Sequence, residues 1–498
     1  MSFGPLGAQT TRPIIMGRNG IVVAGHHLAA QAGLDTLKSG GNAIDAAITT
    51  AAALAILKPD ACGLGSDLFL LYSEARTGKT YALNASGPAP RGATLAEYGS
   101  GIPEHGLRAA SVPGAIHGWQ NAIERFGRRS LSEALGPAIA LASNGIPVSP
   151  LFASVLERSA TLLQPFPLTT EIFFPRGTAP RAGEVLVQGY AARTLEAIAA
   201  GGAAAFYDGP FALALDAYAR ETHAPMRAAD LREYSSEWRE PVHANFRDVE
   251  LIAQPPVSVG IVVLEALRIL ATTPIATYDD ASADFIHSHV EAMKLARINL
   301  HAQLADPAFA TTAATDTSYA AVIDAEGNAV SLLQSIFAIF GSATVIPGTG
   351  VLMNNRMTGF SLDPAAPNVL APGKRALHTL NPLVVHQDGR LLMCLGTPGA
   401  AAQTYTNSLL VMRIIERGYG LQRAVEAPRW FIGTDGNLQI EDSVCAATLD
   451  ELARRGHRLT VLPRLHPNVG GAGIVRINEH GVREGAADPR RESYAVAY

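Results

Sequence analysis

The sequence predicts one compact α/β unit assembled jointly by two parts of the chain, a mainly helical first part and a strand-rich second part. Three observations carry this. Helical periodicity marks residues 118–142, 193–200 and 283–305, β-type runs at 320–323, 329–333, 382–385 and 391–395 follow residue 317, and neither a fixed-period repeat nor a low-complexity linker separates the two.

Taken in order, residues 21–24 form a short apolar run ending at Gly25, and residues 27–38 have a helical period. Gly40-Gly41 supplies a stop, because glycine adopts the left-handed conformation that ends helices, and Asn42 is a plausible N-cap for the next helix. That next segment, residues 43–57, is alanine-rich, contains Asp45 and is too short to span a bilayer, so it reads as a tightly packed buried helix. Residues 68–72 and 80–83 read as strands around the turn Thr77-Gly78-Lys79, and residues 402–417 give one clear helix in the second part.

With 498 residues, 48% hydrophobic and 17% charged, the chain is ample for a large core. A net charge of -5 with no long basic run argues against nucleic acid or an anionic membrane surface as partner. Cys62, Cys394 and Cys445 are far apart, lack metal-finger spacing and are expected to be reduced, buried thiols. The first 18 residues lack the charged start and apolar core of a secretion signal, which makes a cytoplasmic location the default expectation.

The most informative stretch runs from Asp316 to Val330. Alternation through Tyr319 to Ile323, the turn formers Asp324, Glu326, Gly327 and Asn328, and a second run from Ala329 predict a hairpin with Thr317 at its entrance. Were the bond before Thr317 cut, one residue would carry both a hydroxyl nucleophile and an α-amine. The reference pKa of that amine, about 7.7 to 8.0, suits a general base near neutrality.

Other motifs set this hairpin in a known context. Gly25-His26-His27-Leu28-Ala29, Gly40-Gly41-Asn42-Ala43-Ile44-Asp45-Ala46-Ala47, Ser111-Val112-Pro113-Gly114, Glu291-Ala292-Met293-Lys294-Leu295-Ala296, Pro347-Gly348-Thr349-Gly350 and Gly396-Thr397-Pro398-Gly399 occur in this order. Together with the threonine hairpin they resemble the gamma-glutamyltranspeptidase family of N-terminal-nucleophile hydrolases over nearly the whole chain. The resemblance implies an α+β fold, a four-layer αββα sandwich. It also implies self-cleavage between Asp316 and Thr317 into a large subunit, 1–316, and a small catalytic subunit, 317–498, which together form one unit. By motif position it implies Thr317 as nucleophile, Ser335 as a neighbouring hydroxyl, and the Gly399 and Ala400 N–H groups as an oxyanion hole, with Asn354 and Asn355 ahead of the substrate loop. The chemistry requires neither metal nor organic cofactor. Its implied partners are a small amide and the two subunits themselves, as an αβ heterodimer or a dimer of these.

The substrate pocket departs from the family pattern. Ser86 in Asn84-Ala85-Ser86-Gly87-Pro88-Ala89-Pro90 stands where glutathione-cleaving members carry the arginine that holds the γ-glutamyl α-carboxylate, an interaction worth about 1.5 to 3 kcal/mol. Arg91 is displaced by five residues. Gly359 replaces the aspartate that receives the α-amine, Arg356 adds a cation, His378-Thr379 replaces a serine pair, and Phe337 replaces an asparagine. These changes predict a small amide without an α-ammonium group, oxamate-like or otherwise acyl, with Arg356, His378 and Thr379 as anion contacts. Asp67, where the family often has glycine, reads as a buried structural hydrogen bond. His287 and His289 are two apart on a helix and face different sides, which argues against a metal pair. Two other readings stay open: a glutathione hydrolase or gamma-glutamyltransferase that rebuilds glutamate recognition with other residues, and an unprocessed, non-catalytic binding relative.

Overall fold

The computed structural model describes residues 10–99, 101–300 and 317–498, so the Asp316 side of the predicted cleavage point lies outside the described residues. Two seven-stranded antiparallel sheets form the centre. The first runs Tyr494–Ala497, Ile21–Ala24, Ser318–Ile323, Ala329–Ser335, Asp67–Glu74, Lys79–Ala85 and Glu237–Arg239. The second runs Ile15–Gly17, Arg483–Ala487, Gly473–Ile477, Arg390–Gly396, Leu383–Gln387, Val249–Ala253 and Val242–Phe246.

Strand alternation divides the core into three layers. Val22, Ala24, Leu68, Leu70, Ala320, Val322, Val330 and Leu332 pack under the helices of the first part, including Ala43–Leu57, whose residues are all buried. Their neighbours Ile21, Val23, Phe69, Leu71, Ala321, Ile323, Ala329 and Leu333 face the other sheet's Ile252, Val384, Cys394 and Val475. Leu251, Ala253, Leu383, Val385, Met393 and Leu395 pack under Gly260–Ala271, Ala283–Asn299 and Ala402–Ile415. Helix, sheet, sheet, helix is the resulting order, the αββα sandwich that the resemblance implies.

The hairpin forms as the sequence predicts, with register from Ser318 opposite Gln334 to Ile323 opposite Ala329. Asp324 closes its turn by accepting from the N–H groups of Glu326 and Asn328, while Gly327 takes φ 86, a left-handed conformation that glycine adopts without strain. Asn42 caps the next helix in a reciprocal capping box with Asp45. Residues 118–142, read as one helical stretch, are two helices, Ala115–Phe126 and Leu131–Asn144, because Gly127 ends the first and Ser130 caps the second. Cys62 and Cys394 are buried, but Cys445 is exposed, because it occupies the N-cap of the surface helix Ala446–Arg454 rather than a core position. Among the described residues, no helix is long and apolar enough to cross a membrane.

Candidate active site

Three strand ends meet at one edge of the inter-sheet space. Ser335 stands opposite Asp67 in the ladder between Ala329–Ser335 and Asp67–Glu74, and one step beyond the Ser318–Gln334 pair the same register sets Thr317 beside Ser335. Tyr319, Leu333 and Phe69, each two residues along, line the space between the sheets. Alternation therefore directs Thr317, Ser335 and Asp67 to that same space. All three are buried, and Ser335 Oγ accepts from the Phe337 N–H at 2.9 Å.

From the opposite sheet, Arg390–Gly396 runs into the turn Thr397-Pro398-Gly399-Ala400. Gly396 lies flat against the Tyr319 ring, where a Cβ would come within 2.3 Å of it, and this brings the turn towards the hairpin's threonine end. The carbonyls of the turn bond into the following helix, Gly399 O accepting from Ala402 N–H and Ala400 O from Gln403 N–H. Neither the Gly399 nor the Ala400 N–H is taken by a backbone acceptor among the described residues. Ala400 adopts φ 50 and so meets the torsional demand that its side chain opposes.

Beside this edge, four of the residues that depart from the family pattern, Asp67, Arg356, His378 and Phe337, form one buried cluster. Its Oδ1 accepts from Gly87 N–H at 2.8 Å, and its Oδ2 accepts from Arg356 Nε at 3.0 Å and from His378 Nε2 at 3.1 Å. The Leu380 N–H reaches His378 Nδ1, so the ring is neutral with its proton on Nε2. Burial, followed by the Arg356 charge, brings the His378 pKa down to about 4. Burial alone would raise the Asp67 pKa, but its hydrogen bond to His378, the neighbouring cationic charge and the Gly87 N–H outweigh this and hold it below the usual carboxylate value. The Arg356 guanidinium carbon lies 4.3 Å from the Phe337 ring centroid, and Phe337 itself takes φ 81. Arg356 Nη1 and Nη2 are buried and meet no hydrogen-bond partner among the described residues.

The other predicted contacts fall into place around the cluster. Asn354 Oδ1 accepts from Ser111 N–H, Ser111 Oγ and Arg356 N–H, and its Nδ2 donates to Gly65 O and Ser111 O. Asn355 bridges Ala338 N–H and Glu104 O. Both amides are thus engaged in fixing the loop that presents Arg356. His378, expected as an anion contact, has both ring nitrogens occupied within the protein. Thr379 is half-buried beside it. Ser86 holds Asn84 with its hydroxyl and offers its carbonyl to Arg375, whose other nitrogens bond Glu237 and Ser235. Arg91 turns outward to Glu233. Sequence reading placed Asp67 in a structural bond but missed that its partners are Arg356 and His378, which lie 289 and 311 residues away in the chain. The one available signal was a charge in a glycine-rich run together with a new cation elsewhere.

A sandwich of this topology, with a hydroxyl residue heading an inner strand and a backbone turn facing it, defines an N-terminal-nucleophile amide hydrolase or transferase. Comparison with known proteins agrees: a sequence model of the family described as gamma-glutamyltranspeptidase matches residues 29–315 and 308–498, and the chain belongs to that family. It is 35% identical to the glutathione hydrolase-like YwrD proenzyme of Bacillus subtilis, over 97% of this chain and 99% of that protein. It is 33% identical to the oxamate amidohydrolase proenzyme of Klebsiella pneumoniae, over 96% and 98% of the two chains. The crystal structure of a cephalosporin acylase from Bacillus halodurans superposes with a TM-score of 0.91 at 33% identity, covering 100% of this chain and 99% of that one.

Proposed function

We propose that the chain cleaves itself before Thr317 and then hydrolyses a small, carboxylate-bearing amide through an acyl ester on Thr317. In maturation the Thr317 hydroxyl attacks the Asp316 carbonyl, the acyl group moves from nitrogen to oxygen, and water hydrolyses the ester, leaving subunits 1–316 and 317–498. The freed α-amine then accepts the hydroxyl proton during attack on the substrate. Ser335 orients the nucleophile, and the Gly399 and Ala400 N–H groups stabilise the oxyanion. The acyl-enzyme passes to water, or to an amine where one competes.

The observation that carries the substrate reading is the pair of unpartnered terminal nitrogens of Arg356. Its Nε is fixed by Asp67, and its two terminal nitrogens are buried without partners, a fork suited to bidentate binding of a carboxylate. Asp67 lies two strands from Thr317, about 10 Å at ordinary strand spacing, which suits a short acyl group. Asn354, Asn355 and His378 position this receptor, and Thr379 lines it. No carboxylate is placed to receive an α-ammonium group at position 359, which is glycine.

Intact-mass measurement after expression, paired with turnover of a γ-glutamyl anilide and a panel of small amides including oxamate, tests the reading. Two fragments split before Thr317, with turnover confined to carboxylate-bearing non-glutamyl amides, are expected. Efficient γ-glutamyl turnover abolished by Thr317→Ala would favour a glutathione hydrolase instead. A stable, inactive full-length chain would favour a binding relative.

A further inference from the structure

On the face opposite the first sheet, the helix Ala283–Asn299 and the turn after Ala446–Arg454 bring together His287, Glu291 and His457. We infer that these three side chains form a binding site for a divalent transition-metal ion, zinc fitting best, that ties the segment before Thr317 to the segment after it.

The ligand atoms of the three all lie within 4.8 Å of one another. His287 Nδ1 and His457 Nε2 face each other at 2.9 Å, with ring planes 70° apart. Two nitrogens bound to one tetrahedral zinc at 2.0 to 2.1 Å stand about 3.3 Å apart, so opening the pair by a few tenths of an ångström admits the ion. Glu291 is four residues from His287 on the same helical face and supplies the third ligand, with solvent at the fourth position. Two imidazoles and one carboxylate are a donor set that zinc favours over calcium or magnesium.

Local structure holds these donors in place. Gly456, at φ 91, ends the helix Ala446–Arg454, with Gly456 N–H bonded to Ala453 O and His457 N–H to Leu452 O, a glycine stop that fixes the direction of the histidine. Across the same junction Arg455 pairs with Asp284 at 2.8 Å. Lys294 holds Glu291 at 2.9 Å and is the cation that the metal displaces. His289, the residue paired with His287 in the sequence, takes no part: it is buried on the other face, accepting from Trp430 Nε1 and bonded to Ser408 Oγ.

Binding itself does not depend on self-cleavage, whereas the tie between separate subunits rests on the function proposed above. Calorimetric titration of zinc chloride into the full chain, run with wild type and with uncleaved Thr317→Ala, therefore separates the two ideas. One zinc per chain is expected in both, with affinity at least tenfold weaker in Glu291→Gln and stoichiometric binding abolished in His457→Ala and in His287→Ala. In the cleaved protein, zinc should raise the urea concentration at which the fragments separate, chelator should reverse this, and His457→Ala should show neither effect. No binding by wild type, or variants that bind zinc as tightly as wild type, would overturn the site.

Discussion

The edge that carries Thr317, Ser335 and the Gly399-Ala400 turn is made of hydroxyls and backbone, whereas the buried cluster beside it joins the Asp67–Arg356 ion pair to the neutral ring of His378. The first region brings together the residues that the resemblance implies for the reaction. The second departs from the glutamate-reading pattern expected of the family, and four of the departing residues, Asp67, Arg356, His378 and Phe337, contact one another. Asp67 gives Arg356 a partner, Phe337 covers the guanidinium face, and Gly87 places its N–H on the same carboxylate with Val112 O where a Cβ would stand, 1.4 Å away. On the function proposed above, reaction and selectivity are separable, one carried on strand ends and the other on a replaceable polar cluster.

The largest effect is expected where the two regions cannot compensate for each other. Thr317→Ala should leave the chain uncleaved and lower turnover by at least about four orders of magnitude, since the nucleophile and its base are lost together. Mass spectrometry and a turnover assay check both. Cleavage that persists in this variant would remove Thr317 from the chemistry and dissolve the comparison.

Next comes the cluster itself. Asp67→Asn leaves the Arg356 cation buried without a counter-charge and should destabilise the fold by about 3 to 5 kcal/mol, read from the urea midpoint. Arg356→Gln should leave self-cleavage intact while lowering kcat/KM for a carboxylate-bearing amide by the equivalent of about 1.5 to 3 kcal/mol. A carboxylate-free amide should be unaffected. Equal losses on both substrates would make Arg356 a structural element of the whole site rather than the reader of one group.

Much of the first region was legible in the sequence because it is local. The hairpin, its Asp324 turn, the Asn42 cap and the buried Ala43–Leu57 helix each follow from residues within a few positions of one another. The strands Val242–Phe246, Gly473–Ile477 and Arg483–Ala487 went unread, since their glycines and mixed polar residues give weak alternation and pairing with distant strands is what makes them extended. The Asp67 cluster was illegible for the same reason. His378 looked like a free anion contact until its two partners, one far along the chain, were placed against it.

Acid should act on the buried histidines before it reaches the carboxylate. His378, at about 4, and His289, at about 3, are both held down first by burial, while the unfolded chain protonates near 6.5. Between those values the unfolded state binds more protons, so stability falls as pH drops from about 6.5 towards 4, by about 1.4 kcal/mol per pH unit for each group well inside its window. The depressed Asp67 adds a loss in the same direction at lower pH. Urea midpoints from pH 7 to 4.5 check this, and a flat profile would mean that the cluster opens to water as readily as a surface site.

The smallest effect is expected at the turn that faces Thr317. Ala400 sits at φ 50, where an L side chain costs about 1 to 2 kcal/mol, and a glycine there would remove that strain. Ala400→Gly also loosens the unfolded chain by about 0.4 to 1 kcal/mol, so the net gain in stability should stay below about 1.5 kcal/mol. Both N–H donors of the turn survive the change. Turnover should therefore move by less than about threefold, which is under 1 kcal/mol of barrier. A large drop would mean that the Ala400 methyl, and not only its N–H, shapes the space in which the acyl group lies, and the boundary between the reacting edge and the selecting pocket would have to be redrawn to include it.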